Sequence, residues 1–264
     1  MAAAQIITLL TDFGTTDAYV GIVKGVLLAR APEARIVDLV HAAEFGSLHA
    51  AAYLLASAFS YFPAGTVHLV LTDPSAAPDR RVIAAEVAGQ YVVAPDDGVA
   101  APLFEQHRPA ALVAVQNARF LLEPRRHTFH SRLIYAPAAA GLAGGVRLDE
   151  LGIRASGWTP LPHAVALVEG EGRIVGEVVH IDRFGNLVTN IDASQLPPHP
   201  RITVGSTVID RVSDTYSDLE PGGVLAIVGS TGKLEISINR GNAAKRLFVS
   251  RMDSVHIEAG RAEV

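Results

Sequence analysis

The stretch from Ile6 to Pro32 reads IITLLTDFGTTDAYVGIVKGVLLARAP and holds a complete strand, turn and helix signal. Ile6–Leu10 is a short apolar run of buried-strand character. TDFGTTD then supplies turn chemistry. Ala18–Ala31 repeats apolar residues at helical spacing until Pro32 stops it. The same alternation continues outward. Ile36–Val40 predicts a second strand, and Ser47–Phe62 predicts an alanine-rich helix with Ser47 as its N-cap and Pro63 and Gly65 closing it. Val67–Thr72, Val82–Val87, Tyr91–Ala94 and Leu112–Val115 are further strand candidates. Strands and helices in alternation predict an α/β N-terminal domain with a largely parallel sheet covered on both faces.

Beyond about Val168 the texture changes. Ile174–Ile181, Leu187–Ile191, Arg201–Ile209, Val224–Val228, Leu234–Ile238 and Ser254–Glu258 are short β-branched runs set apart by Gly, Pro and Asn. They predict a smaller, all-β, barrel-like C-terminal domain. The expected division is 1–160 for the α/β catalytic domain and 168–264 for the β-barrel domain, with Gly157–Ala164 and its prolines as linker.

Composition narrows the class. The 264 residues are 49% hydrophobic, which is too apolar for a disordered chain. The longest uncharged apolar stretch, Leu133–Val146, is 14 residues long and interrupted by Pro137, short of the roughly 20 needed to span a bilayer. The N-terminus lacks a basic n-region and meets Asp12 early, unlike a signal peptide. Zero cysteines exclude disulfides, thiolate zinc sites and a cysteine nucleophile, and suit a reducing cytoplasm. A formal net charge of -5 offers no electrostatic footprint for nucleic acid. The expectation is a cytoplasmic enzyme or binding protein with neither a membrane nor a nucleic-acid partner.

Ligands of α/β folds bind outside the carboxyl ends of the strands or between domains, so polar residues directly after strand runs are the candidates. Five segments stand out. In Thr11–Asp17, Gly14 permits a tight turn and Asp17 sits where a helix cap belongs; a carboxylate here, Asp12 or Asp17, also suits ribose hydroxyls. No GxGxxG or GxxxxGK[ST] loop is present, which disfavours a phosphate-cradling nucleotide site but leaves room for a nucleoside. Asp73–Arg81, DPSAAPDRR, offers opposite charges beside a ligand, or a surface loop with ion pairs of about 0–1 kcal/mol. His130 lies in TFHSR, where a lone histidine beside apolar residues is more often a packed or surface residue than a catalyst. Asp182–Asn186, DRFGN, is either a hairpin turn or a carboxylate and an amide flanking the aromatic Phe184, suited to an α-amino acid. Gly229–Asn239, GSTGKLEISIN, is a glycine-rich turn whose N–H groups and Ser230 hydroxyl suit a carboxylate.

Taken in order, these segments resemble the S-adenosyl-L-methionine (SAM) hydroxide adenosyltransferase family, the SAM hydrolases, whose relatives include the SAM-dependent fluorinase and chlorinase. The resemblance spans nearly the whole chain: TDFG, a further Asp and YVG in Leu10–Gly21; ARIVDLVH at 34–41; YFPAGTV at 61–67; VAPDDG at 93–98; 129–137; IDRFGNLVTNI at 181–191; and the TY, PGG, GSTG, LEI and GNAA elements of 215–242.

The resemblance implies a homotrimer with SAM bound between subunits, hydrolysis of SAM to adenosine and L-methionine by water at the ribose C5′, and no cofactor or metal. It places Asp73, Arg80 and His130 as the catalytic set. It places Asp17, with Asp12 in the same loop, at the ribose, and Asp182, Phe184, Asn186 and Ser230 at the methionine, with Glu235 nearby. Retention of Asp73 argues against a halogenase, because a buried carboxylate repels a halide. The chain departs from the family pattern in having DPSAAP for DPGVGT, FHSRL for FHGRD and PDDG for PDNG. Those departures keep open a SAM- or nucleoside-binding protein with impaired catalysis.

Overall fold

The computed structural model describes residues 6–43, 46–72, 81–120, 131–163 and 165–260, and divides into two compact units, Met1–Pro162 and His163–Val264. The first unit runs β1 (Ile6–Thr11), α1 (Tyr19–Arg30), β2 (Arg35–Val40), α2 (Leu48–Phe59), β3 (Val67–Leu71), β4 (Val82–Val87), β5 (Gln90–Pro95), α3 (Ala101–Gln106), β6 (Ala111–Val115), α4 (Ala136–Ala143) and β7 (Gly152–Arg154). Among the described residues its strands form one seven-stranded sheet in the order β2-β1-β3-β5-β4-β6-β7.

Periodicity explains each layer. On α1 the buried residues are Val20, Val23 and Leu27, one face of a 3.6-residue repeat. They join a core with Ile7, Leu9, Val67, Leu69 and the alanines of α4, whose small side chains let that helix approach the sheet closely. Successive strand residues point to opposite faces, so His68 of β3 faces the other way and meets Phe59 of α2, ring centroids 5.0 Å apart. The predicted cap of α2 is present, with the Ser47 hydroxyl accepting from Ala50 N–H at 3.3 Å; such a cap contributes about 1 kcal/mol.

The expectation of a largely parallel sheet needs correcting. β2, β1, β3 and β5 pair in parallel, but β4 pairs antiparallel with β5 and β6, and β7 antiparallel with β6. The sheet is mixed because β4 and β5 are a hairpin. Ala88 and Gly89 both have positive φ, 47° and 77°, the geometry of a two-residue turn whose twist matches its strands.

The second unit runs β8 (Leu167–Val168), β9 (Ile174–Ile181), β10 (Leu187–Asp192), β11 (Pro200–Val204), β12 (Thr207–Ile209), β13 (Val212–Ser213), β14 (Val224–Val228), β15 (Lys233–Ile238), α5 (Ala243–Leu247) and β16 (Ser254–Ala259). Its nine described strands are ordered β12-β11-β16-β9-β10-β15-β14-β13, with β8 on β9, and the sheet curls until β12 comes against β14, nearly a barrel. Ile174, Val178, Leu187, Ile191, Leu234, Ile236, Val255 and Ile257 fill its interior. The run Arg201–Ile209, read as one strand, is two, β11 and β12, joined through Gly205 at φ 55°. Among the described residues no helix is long and apolar enough to cross a membrane.

Candidate active site

In the first unit the chain leaves β1 toward β2 on one side, while β3 lies on the other side of β1. That reversal is a topological switch point, where the carboxyl ends of adjacent parallel strands open a crevice for ligands. β1 and β3 pair in register through Thr11↔Leu71. The Asp12–Asp17 loop, a candidate segment in the sequence, therefore leaves β1 beside the carboxyl end of β3. Asp73, Arg80 and His130 lie outside the described residues.

The β1–α1 loop is well held. Asp12 is buried, 8% exposed, and accepts from Gly46 N–H at 3.5 Å. Gly14 N–H donates to the His41 carbonyl at 2.7 Å. Asp17 is exposed and does not cap α1: Ala18 is the N-cap residue and makes no side-chain capping bond. The capping reading of Asp17 is thus corrected, and its carboxylate projects as a free acceptor among the described residues.

The two arginines of DPSAAPDRR separate in role at Arg81. Its Nε donates to Asp96 Oδ2 at 2.6 Å, its NH2 group pairs with the same carboxylate, and that group also donates to the Gly157 carbonyl at 3.1 Å. Asp96 in turn accepts from Thr159 N–H at 2.8 Å. Arg81 is therefore structural; it ties the start of β4 to the turn after β5. The neighbouring Asp97, the departure in PDDG, accepts from Val99 N–H at 3.1 Å in a local turn.

In the second unit, the DRFGN turn is built around one carboxylate. Asp182 Oδ1 accepts from Phe184 N–H at 2.8 Å and from Asn186 N–H at 2.9 Å, and Oδ2 accepts from Asn186 Nδ2 at 2.8 Å. The hairpin reading thus holds, and it leaves the Phe184 ring 73% exposed at the tip. Gly185 sits at φ 88°, and a β-carbon there would lie 2.1 Å from the side chain of Asn242, whose Oδ1 caps α5 through Lys245 N–H.

β10 begins one residue after Asn186, and its Val188 pairs with Glu235 of β15. The Glu235 carboxyl folds back against Gly229, where a β-carbon would stand 1.8 Å from Oε1, so a side chain there would displace the carboxyl. Tyr216 donates its hydroxyl to Glu235 Oε2 at 3.3 Å. Burial pushes the Glu235 carboxyl above the ordinary range; the Tyr216 hydrogen bond opposes this and the Asp182 charge adds to it. Ser230 is exposed on the turn between β14 and β15. Asp182, Asn186, Gly229 and Glu235 thus converge, and Ser230 lies next to Gly229. Carboxylates, an amide and turn N–H groups together suit a ligand carrying both an ammonium and a carboxylate.

Sequence reasoning assigned no role to Tyr216, Asn242, Asp96 or His41. The TY and GNAA elements mark the first two, whereas nothing local announces that Arg81 and Asp96 meet. Among the described residues no group of three or more His, Asp or Glu side chains gathers in a metal-holding arrangement.

A switch-point crevice in an α/β unit and a polar cluster in a nearly barrel-shaped β unit define a class of two-part α/β proteins with nucleoside-compatible and amino-acid-compatible chemistry. Residues 7–152 match the SAM hydroxide adenosyltransferase N-terminal domain, and residues 176–256 match the C-terminal domain of the same family. The chain belongs to the SAM hydroxide adenosyltransferase family. It is 38% identical over 252 residues to a protein of Thermus thermophilus named (R)-S-adenosyl-L-methionine hydrolase, covering 90% of this chain and 93% of that one. It is 26% identical to a protein of Nocardia brasiliensis named fluorinase, covering 97% of each. A crystal structure of an uncharacterized conserved protein from Thermotoga maritima superposes with a TM-score of 0.87 at 32% identity, covering 96% of this chain and 99% of that one.

Proposed function

We propose that this protein hydrolyses SAM to adenosine and L-methionine, with the (R) sulfonium epimer named for the Thermus relative as its substrate class. The observation that carries the reading is the Thr11↔Leu71 register, because it sets the Asp12–Asp17 loop beside the carboxyl end of β3, the strand that precedes Asp73 in the sequence.

The chemistry is a displacement at carbon. The water oxygen attacks the ribose C5′, the C5′–S bond breaks with its electron pair going to sulfur, and neutral methionine thioether departs. A sulfonium is already a good leaving group, so no Lewis acid or cofactor is required on that side. The protein must hold a water in line in a dry pocket, and such positioning contributes several kcal/mol. In our reading Arg80 and His130 orient that water and favour its hydroxide-like form, while Asp73 holds their geometry. The water proton passes to solvent as adenosine forms. Asp17 and Asp12 bind the ribose; Asp182, Phe184, Asn186, Ser230 and Glu235 bind the methionine part. A cytoplasmic homotrimer with sites between subunits and no partner beyond SAM completes the proposal.

The DPSAAP loop favours one other reading, a SAM- or nucleoside-binding protein with impaired catalysis. Incubating purified protein with each sulfonium epimer, with and without halide, and separating products by chromatography decides between them. Adenosine and methionine are expected, and an Asp73→Ala variant should lose at least about a hundredfold in turnover, the scale of a general-base or electrostatic contribution. Unchanged SAM with measurable binding would support the second reading; a halogenated nucleoside formed only with halide would overturn both.

A further inference from the structure

β1 and β2 end together, Leu10 paired with Val40, so Thr11 and His41 leave the sheet as neighbours. Their side chains meet, with Thr11 Oγ1 3.1 Å from His41 Nδ1. On its far side the His41 ring places Nε2 3.0 Å from Asp38 Oδ1, and Asp38 Oδ2 accepts from Lys24 Nζ of α1 at 2.7 Å. The chain Lys24–Asp38–His41–Thr11 therefore closes a ring around the β1–α1 loop. It grips β1 at one end and the helix that follows at the other. Two main-chain bonds complete the grip: Gly14 N–H to the His41 carbonyl at 2.7 Å, and Phe13 N–H to Thr11 Oγ1 at 3.4 Å.

His41 Nε2 and Asp38 Oδ1 are within ion-pair distance but out of hydrogen-bond alignment, so the Thr11 bond is what orients the ring. Thr11 Oγ1 bonds to His41 Nδ1 on one side and accepts from Phe13 N–H on the other. Partial burial alone would raise the Asp38 carboxyl; the Lys24 ammonium bonded to it and the adjacent His41 ring outweigh this and hold the group below its ordinary range. The His41 side chain is 9% exposed. Only the Thr11–His41 end of this chain is buried; Lys24 and Asp38 are 33% and 43% exposed, and a solvent-screened ion pair adds little to stability. What the chain adds is direction, because each bond fixes an angle in a loop with two carboxylates, Asp12 and Asp17.

We propose that His41 is a positioning residue: bonded to Thr11 through its ring and to Gly14 through its carbonyl, it locks the Thr11–Gly14 turn and thereby aims the loop's carboxylates at the ribose hydroxyls of a bound nucleoside. The proposal rests on the ribose role given to Asp12 and Asp17 above. His41 itself does not touch the ligand. Loss of the lock weakens recognition of the hydroxyls while leaving contacts to the base and to the methionine part in place.

The test measures binding of adenosine and of 2′-deoxyadenosine by calorimetry, alongside SAM turnover and thermal melting, for the wild type, His41→Ala, His41→Asn and Thr11→Val. Wild type should prefer adenosine by about three- to tenfold, the scale of one or two hydroxyl hydrogen bonds. His41→Ala and Thr11→Val should bring that preference close to one, with adenosine losing more affinity than 2′-deoxyadenosine, which keeps its 3′-hydroxyl. His41→Asn, whose Oδ1 replaces Nδ1 as partner for Thr11, should recover part of it. Thr11→Val matches the parent in volume, so it carries the test if His41→Ala does not fold. A preference that survives in folded variants overturns the proposal, as does a wild type that binds neither nucleoside or binds both equally. Absence of SAM turnover with an intact, His41-dependent hydroxyl preference would overturn the hydrolase reading and leave the positioning role standing.

Discussion

Acidification should destabilise this protein through one histidine buried in the sheet, His68. The side chain is fully enclosed, with Nδ1 2.9 Å from Thr8 Oγ1 and Nε2 2.8 Å from Gln90 Oε1, and the rings of Phe59 and Phe62 are packed 5.0 and 5.5 Å away. A neutral ring satisfies both partners. Gln90 Oε1 accepts from Nε2–H, Nδ1 accepts from the Thr8 hydroxyl, and the Gln90 amide donates onward to the Phe59 carbonyl at 3.3 Å. A second proton would place a cation among aromatic side chains and turn the Thr8 hydroxyl away from its acceptor. Burial accordingly lowers the imidazole from its ordinary 6.5, and the Gln90 bond only partly offsets this. Below pH 6.5 the unfolded chain takes up a proton that the folded chain refuses, so the stability present above that pH is lost as the pH falls toward the folded value. The slope reaches at most about 1.4 kcal/mol per pH unit, and between about pH 7.5 and about pH 5.5 the accumulated loss is about 1.4 kcal/mol while the folded ring stays neutral. Glu235 works in the opposite sense. Its raised carboxyl adds stability that is full below 4.5 and disappears as pH rises through the folded value, so the wild-type curve alone mixes the two groups. Urea unfolding of wild type and His68→Gln across that range separates them. The wild type should lose about 1.4 kcal/mol more than the variant. Parallel curves for the two proteins would refute the account of His68 as a ring held neutral.

Two further substitutions probe the frame around the candidate site. Arg81→Ala leaves the buried Asp96 carboxylate with the Thr159 N–H alone; because the guanidinium is partly exposed, the cost should be about 1–3 kcal/mol, below that of a fully buried pair, and unchanged urea denaturation would exclude it. Gly185→Ala must combine φ 88° with a β-carbon 2.1 Å from Asn242. It should cost about 2–3 kcal/mol and loosen the α5 cap, seen as a lower melting temperature; a melting temperature equal to wild type would show the turn to be more tolerant than its geometry implies.

The strand–turn–helix alternation of the first unit was legible because Val20, Val23 and Leu27 recur at helical spacing and the β1 and β3 runs are short and apolar. The antiparallel half of its sheet was not. Ala88-Gly89 lacks the Asn or Asp that advertises a two-residue hairpin, and only backbone φ shows the turn. α4 is not legible for another reason: Ala136–Ala143 is apolar all round, so it has no periodicity to read, and it is a helix because it is buried between α1 and the sheet. β8 and β13 have two residues each, below the length at which alternation carries information.

At the candidate site, the kinds of residue were visible in one dimension and their partners were not. Asp182 and Asn186 are four residues apart, so their shared turn follows from local sequence. Arg81 and Asp96, Thr11 and His41, and Tyr216 and Glu235 are joined only when strands bring them into register. Sequence by itself determined the family, the strand–helix alternation from β1 to β3, and the carboxylates standing after strand ends. The tertiary structure decided which carboxylates are spent on turns and clamps and which remain for a ligand. The division has a physical cause: chain periodicity is set by neighbours within a few residues, whereas a side chain's burial, charge state and partners depend on groups that only folding brings to hydrogen-bond distance.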